Sequence, residues 1–164
     1  MKAAPNDADL ADLVKVLSEK LLDHGLVMAT AESCTGGWIA KCCTDLAGSS
    51  AWFERGFVSY SYAAKREMLD VDSMVLETGG AVSEAAALQM AVGAVRESEA
   101  DVSLAVTGIA GPAGGTTDKP LGLVWFAWSV GRSVSTERMI FPGGRDEVRR
   151  LTVAHALKGM TGRL

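Results

Sequence analysis

The chain has 164 residues, of which 48% are hydrophobic and 22% charged, the balance of one globular domain of ordinary size. With 20 acidic against 16 basic residues it carries a formal charge of −4, which removes the basic field that nucleic-acid binding needs. No run approaches the roughly 18 to 20 apolar residues of a membrane helix. The three cysteines, Cys34, Cys42 and Cys43, and the two histidines, His24 and His155, lack metal-ligand spacing, so a cytoplasmic protein with reduced thiols, no metal and no cofactor is expected.

In chain order, residues 1–8 read as a flexible tail. Leu10, Leu13, Val14, Leu17 and Leu21 then form one helical stripe, with Gly25 where a left-handed cap belongs. Leu26–Thr30 is a short, continuously apolar run, as in a strand covered on both faces, and 36–46 reads as a helix closed by Gly48. The stretch Phe53–Tyr60 is β-rich and Ser61 is a candidate N-cap for a helix beginning at Tyr62. Ser83 caps an alanine-rich helix running to about Glu99, with Glu84 in its first turn, and Val102–Val106 is a second apolar strand. Leu121–Val130 and Val134–Phe141, joined by Gly131-Arg132-Ser133, form a hairpin. The run 142–146 breaks the last strand, and Asp146 can cap a final helix carrying Val148, Leu151, Thr152, His155 and Ala156. The sum is an α/β fold: three α/β/α layers around a mixed, mostly parallel sheet with a C-terminal antiparallel hairpin.

Two glycine-hinged segments, 31–37 (Ala-Glu-Ser-Cys-Thr-Gly-Gly) and 107–112 (Thr-Gly-Ile-Ala-Gly-Pro), each follow a β-like run. In open α/β sheets ligands bind outside the carboxyl ends of the strands, so the hydroxyls of Ser33 and Thr107 fall where small-molecule chemistry sits. The backbone N–H groups of Thr35, Gly36 and Gly37 can face a ligand held by Ser33, although the same glycines equally serve a tight strand-to-helix turn. The loop from Thr107 to Pro120 is long for a connection inside a compact domain and lacks the spacing of a phosphate-binding P-loop. Arg145, between glycine and aspartate at a helix start, is a candidate for bidentate phosphate or carboxylate contact. Cys34 needs a lowered pKa and a basic partner to act as a nucleophile, and reads as a spectator. Ser49, Ser50, Tyr60 and Lys65 form a third group, in which a lysine whose pKa is lowered by burial can serve a serine as base.

These motifs, together with 45–61 (DLAGSSAWFERGFVSYS), 80–84 (GAVSE) and the K-P-L-G of 119–122, closely resemble the C-terminal domain of the CinA family, over about residues 10–160. That domain also occurs alone as a nicotinamide-nucleotide amidohydrolase, and the chain resembles this stand-alone form. The resemblance implies metal-independent hydrolysis of the carboxamide of nicotinamide mononucleotide (NMN) to nicotinate mononucleotide and ammonia. It implies Ser50 as nucleophile, Lys65 as base and Tyr60 as a supporting hydroxyl, with Ser33, Thr35, Gly36, Thr107 and Gly108 lining the pocket and Arg145 on the phosphate. It also implies a homodimer or larger homo-oligomer, while charge and hydropathy argue for no nucleic-acid or membrane partner. A non-catalytic nucleotide-binding or interaction module linked to competence or DNA damage is the alternative, and an amidase for another pyridine or pterin nucleotide a third.

Strand geometry weighs on the nucleophile. If Phe53–Tyr60 is fully extended it covers about 25 Å at ~3.3 Å per residue, leaving Ser50 and Lys65 at opposite ends. Their pairing requires the chain from Ser50 to Glu54 to double back. With the extended reading, Ser33 becomes the better nucleophile, because it shares the carboxyl edge of the sheet with Tyr60 and Thr107.

Overall fold

Helix α1 (Asp7–His24) begins the architecture of the computed structural model, which describes residues 3–164. Asn6 and Asp9 cap it reciprocally: the Asn6 side chain accepts from Asp9 N at 3.0 Å and the Asp9 carboxylate accepts from Asn6 N at 2.8 Å. Arg150 donates to Pro5 O and to the Asp7 carboxylate, and Asp7 and Ala8 belong to α1. Residues 1 and 2 lie outside the described residues.

Strand β1 (Met28–Glu32) follows and is wholly buried. It starts two residues later than Leu26, because Val27 is occupied by Asp101, whose carboxylate accepts from Val27 N at 2.9 Å. Helix α2 (Trp38–Asp45) starts after Gly36 and Gly37, whose φ of +61° and +94° exclude them from the helix. A 3-10 turn at Ser49–Ala51 leads into strand β2 (Phe53–Val58), then α3 (Tyr62–Leu69), capped by Ser61 as expected. Helix α4 (Ser73–Gly79), capped by Asp72, was not foreseen; it is only seven residues long and carries one buried residue, Leu76. Then come α5 (Glu84–Arg96), β3 (Val102–Gly108), β4 (Leu123–Val130), β5 (Ser133–Ile140) and α6 (Arg145–Thr161). Gly144, not Asp146, is the N-cap of α6; Asp146 lies in the first turn, where its charge complements the helix dipole.

The sheet order is β2-β1-β3-β4-β5, parallel across β2, β1 and β3 and antiparallel from β3 onward. Strand alternation sorts the residues onto two faces. Met28, Leu104, Val106, Phe126 and Trp128 pack against Leu10, Leu17, Ile39, Leu157 and Met160 of α1, α2 and α6. Ala29, Ala31, Ala105 and Ala127 pack against Leu69, Leu76, Ala87, Met90 and Ala94 of α3, α4 and α5. The expected three-layer α/β/α arrangement with a mixed sheet is thus what the chain forms. Among the described residues no helix is long and apolar enough to cross a membrane.

The two faces differ in grain. The alanine-rich side lets α5 sit close to the sheet and to α3, so close that a Cβ at Gly93 would lie 2.1 Å from Leu69 O. On the other side Trp128 fills the space over α6, its indole N–H donating to Ala156 O at 3.0 Å, and a Cβ at Gly159 would meet the indole at 2.2 Å. Gly159→Ala should therefore cost at least the ~1–3 kcal/mol of an overpacked core, read as a lower thermal midpoint.

Candidate active site

Polar and titratable side chains gather at the carboxyl ends of β2, β1 and β3. The parallel ladder runs one residue beyond the end of β1: Ser59 N donates to Glu32 O at 2.9 Å and Ser33 N to Val106 O at 3.0 Å. Alternation then dictates where side chains go. Glu32 faces α2, and Ser33, one residue on, faces α3 and α5.

Lys65 meets Ser33 on that face. It lies on α3, is fully buried, and its Nζ is 2.9 Å from Ser33 Oγ, 2.6 Å from Ser59 O and 3.4 Å from Tyr60 O. In a neutral amine the two N–H groups match the two carbonyls, and the lone pair is left for the Ser33 hydroxyl proton. Burial favours that neutral form, lowering the amine from its ordinary 10.5 to about 8, opposed by the nearby Cys34 thiol. The Cys34 thiol is itself pushed up to about 12, chiefly by burial. A serine hydroxyl against a near-neutral lysine is a nucleophile–base pair.

The loop after Ser33 is held from the opposite side. The Glu32 carboxylate, fully buried, accepts from Thr35 Oγ1 at 2.7 Å and Ile39 N at 2.8 Å on one oxygen, and from Ala40 N at 2.9 Å and Thr30 Oγ1 at 3.3 Å on the other. Burial raises its pKa despite these four donors. From α6, Arg149 donates to Cys34 O at 3.1 Å and to Thr35 O at 2.9 Å, while its guanidinium lies 5.0 Å from the Trp38 ring centroid. Among the described residues, the N–H groups of Cys34, Thr35 and Gly37 have no protein acceptor.

The structure redistributes the residues expected here. Ser50 is exposed in the turn before β2, and Met28 at the start of β1 pairs with Phe53, so Ser50 belongs to the amino edge of the sheet. Ser33 is five residues further along the strand direction, about 16 Å at ~3.3 Å per residue. The chain does turn at Ser49–Ala51, yet β2 still runs extended from Phe53, and within the chain the side chain that meets Lys65 is Ser33 rather than Ser50. The Thr107 hydroxyl is fully buried and donates to Ala81 O at 2.7 Å, which engages it in fixing the segment before α5. Gly108 lets β3 and β4 approach: a Cβ there would lie 2.7 Å from Leu123 O. Arg145 is exposed and donates to Gly111 O at 2.8 Å, tethering the long loop rather than facing Ser33. Tyr60 is 64% exposed, and its carbonyl accepts from Lys65 Nζ at 3.4 Å. Thr35 and Gly36 shape the loop, through the bond to Glu32 and through Gly36 N donating to Ser33 O at 3.1 Å. Glu32 and Arg149 were missed. Glu32 lay inside a quoted motif, and an acidic residue at the end of a buried strand is the signal that could have singled it out.

Residues 10–164 match the family model described as the CinA C-terminal domain. The chain belongs to the CinA C-terminal domain family. It is 49% identical over 153 residues, 93% of either chain, to a protein of Escherichia coli (strain K12) named nicotinamide-nucleotide amidohydrolase PncC. Among solved structures, a competence-damaged protein (CinA) superfamily protein from Escherichia coli superposes with a TM-score of 0.93 at 38% identity, covering 100% of this chain and 95% of the other. The competence/damage inducible protein CihA from Agrobacterium tumefaciens gives 0.89 at 45% identity, with 99% and 98% covered.

The depressed lysine has a measurable thermodynamic consequence. Between about 8, where folded Lys65 titrates, and its ordinary 10.5, the unfolded chain binds the extra proton, so stability rises with pH across that window. Relative to Lys65→Met, the wild type should gain on the order of 3 kcal/mol of unfolding free energy from below to above the window, read by denaturant melts at a series of pH values.

Proposed function

We propose that the chain hydrolyses the carboxamide of nicotinamide mononucleotide to nicotinate mononucleotide and ammonia, with Ser33 as nucleophile and Lys65 as base. The observation that carries the mechanism is the 2.9 Å contact between Lys65 Nζ and Ser33 Oγ, with the amine anchored on two backbone carbonyls. The substrate comes from the likeness to relatives named nicotinamide-nucleotide amidohydrolase, nearly half identical over almost the whole chain.

In the acylation step Lys65 takes the hydroxyl proton as Ser33 Oγ bonds to the carboxamide carbon. The N–H groups of Cys34 and Thr35 receive the oxyanion. Collapse of the tetrahedral adduct breaks the C–N bond, and the proton on Lys65 leaves with the amine as ammonia. Water then attacks the acyl-serine, giving its proton to Lys65, and the acid departs as Ser33 regains its hydrogen. Proton transfer rests on Lys65 and charge stabilisation on backbone donors, so the cycle calls for no metal, and turnover is expected to persist with chelator present.

Ammonia release from NMN, measured with chelator in wild type, Ser33→Ala, Ser50→Ala and Lys65→Met, tests this reading. Loss of about 10²–10⁴-fold in Lys65→Met and at least as much in Ser33→Ala is expected, with Ser50→Ala within about threefold of wild type. In wild type log kcat/KM should climb with pH and level off near 8, as Lys65 loses its proton. A loss confined to Ser50→Ala would move the nucleophile, and NMN binding without ammonia release would assign the domain a ligand-binding role.

A further inference from the structure

Helix α2 lacks a side-chain cap of its own, because its N-cap is Gly37, and the Glu32 carboxylate takes over by accepting from Ile39 N and Ala40 N. This alone would make Glu32 a structural residue. Two further observations connect it to the reaction. The same carboxylate oxygen that holds Ile39 N also accepts the Thr35 hydroxyl, so it fixes a residue of the loop that follows Ser33. Arg149 holds the carbonyl of Cys34, which belongs to the Cys34–Thr35 peptide.

A trans peptide points its C=O and N–H in opposite directions. With Cys34 O turned toward Arg149 on α6, Thr35 N–H is aimed away from α6, toward the sheet face on which Ser33 and Lys65 meet. That N–H has no protein acceptor, and neither does Cys34 N–H. A flip of this one peptide would turn the Thr35 donor away from the Ser33 face. Glu32 resists the flip through the Thr35 side chain and Arg149 through the Cys34 and Thr35 carbonyls.

We infer that Glu32 is a positioning residue for the hydrolysis, its buried carboxylate acting with Arg149 to lock the Cys34–Thr35 peptide with its N–H on the side where the oxyanion forms. The inference rests on the Ser33–Lys65 amidase reading and adds the two groups that prepare its oxyanion donors. Glu32 never touches substrate: it lies on the opposite face of the sheet from the Ser33 side chain, and its effect passes through Thr35. Donors fixed in advance stabilise the transition state without reorganisation, so loosening them should lower kcat and leave ground-state binding nearly untouched.

Glu32→Gln keeps the shape of the side chain but sets an NH2 group against backbone donors that need an acceptor. Expected is a fall in kcat of about 10²–10³-fold with KM within about threefold of wild type. Inhibition by pyridine-3-boronic acid, which can form a tetrahedral adduct on a serine, should weaken by a similar factor, while affinity for nicotinate mononucleotide is kept. Arg149→Met, at a half-buried site, should show the same split and carries the test if Glu32→Gln fails to fold. A lower thermal midpoint with unchanged kcat and boronate affinity in the folded variant would mean that Glu32 only caps α2, and overturns the inference. Acylation by p-nitrophenyl acetate separates the two readings. Wild type that is acylated without turning over NMN removes the substrate assignment, and loss of that acylation in Glu32→Gln still supports the lock. Equal acylation of wild type and both variants removes the lock alone.

Discussion

One buried carboxylate joins the parts of this fold that have to agree. Glu32 ends β1, caps α2 and holds the loop between them, and each of its oxygens receives one backbone and one hydroxyl donor. An unpaired carboxylate in such a place would be prohibitive, and a half-satisfied one would be worse than an apolar side chain. The four donors come from four different residues, Thr30, Thr35, Ile39 and Ala40, spread over eleven positions of chain. The strand terminus, the glycine turn and the helix start are therefore tied to a single geometry, and none can shift without leaving a charge unpaired.

The Ser33–Lys65 pair inherits its precision from that junction and from the sheet. Ser33 is presented by β1 and Lys65 by α3, and the two elements meet because the parallel ladder continues past the end of β1 on both sides, through Ser33 N and Glu32 O. The strand ends put the serine at the edge of the sheet, and α3, capped by Ser61, returns the lysine beneath it. Lys65 is dry because α3 packs it under the edge, and its two carbonyl partners belong to the same strand-to-helix connection. The free energy lost by burying an amine is thus retained as a base near neutrality.

Most of the architecture is legible in the sequence, because it follows from periodicity and punctuation. The stripe from Leu10 to Leu21 with Gly25, the Ser61 and Ser83 caps, and the hairpin at 131–133 all sit where their patterns put them. Boundaries moved where a side chain overrode the local pattern, as Asp101 did at Val27 and the positive-φ glycines did before Trp38. Helix α4 was missed because it carries too little apolar signal to show a period. At the site, strand length alone separates Ser50 from Lys65, and the two lie apart within the chain for that reason. What spacing could not foresee were the commitments of individual groups: that Thr107 is taken by Ala81, that Arg145 is taken by Gly111, and that Glu32 turns inward. Those depend on contacts between segments dozens of residues apart.

The fate of Cys34 follows from its place beside Ser33. A thiol next to a serine–lysine pair would ordinarily compete for electrophiles and peroxides, but reactivity belongs to the thiolate. Pushed up to about 12, chiefly by burial, Cys34 keeps its proton at neutral pH. Cys42 and Cys43 are raised in the same way. The loop after β1 thus carries sulfur in its less reactive thiol form, held there by the same exclusion of water that lowers the Lys65 amine.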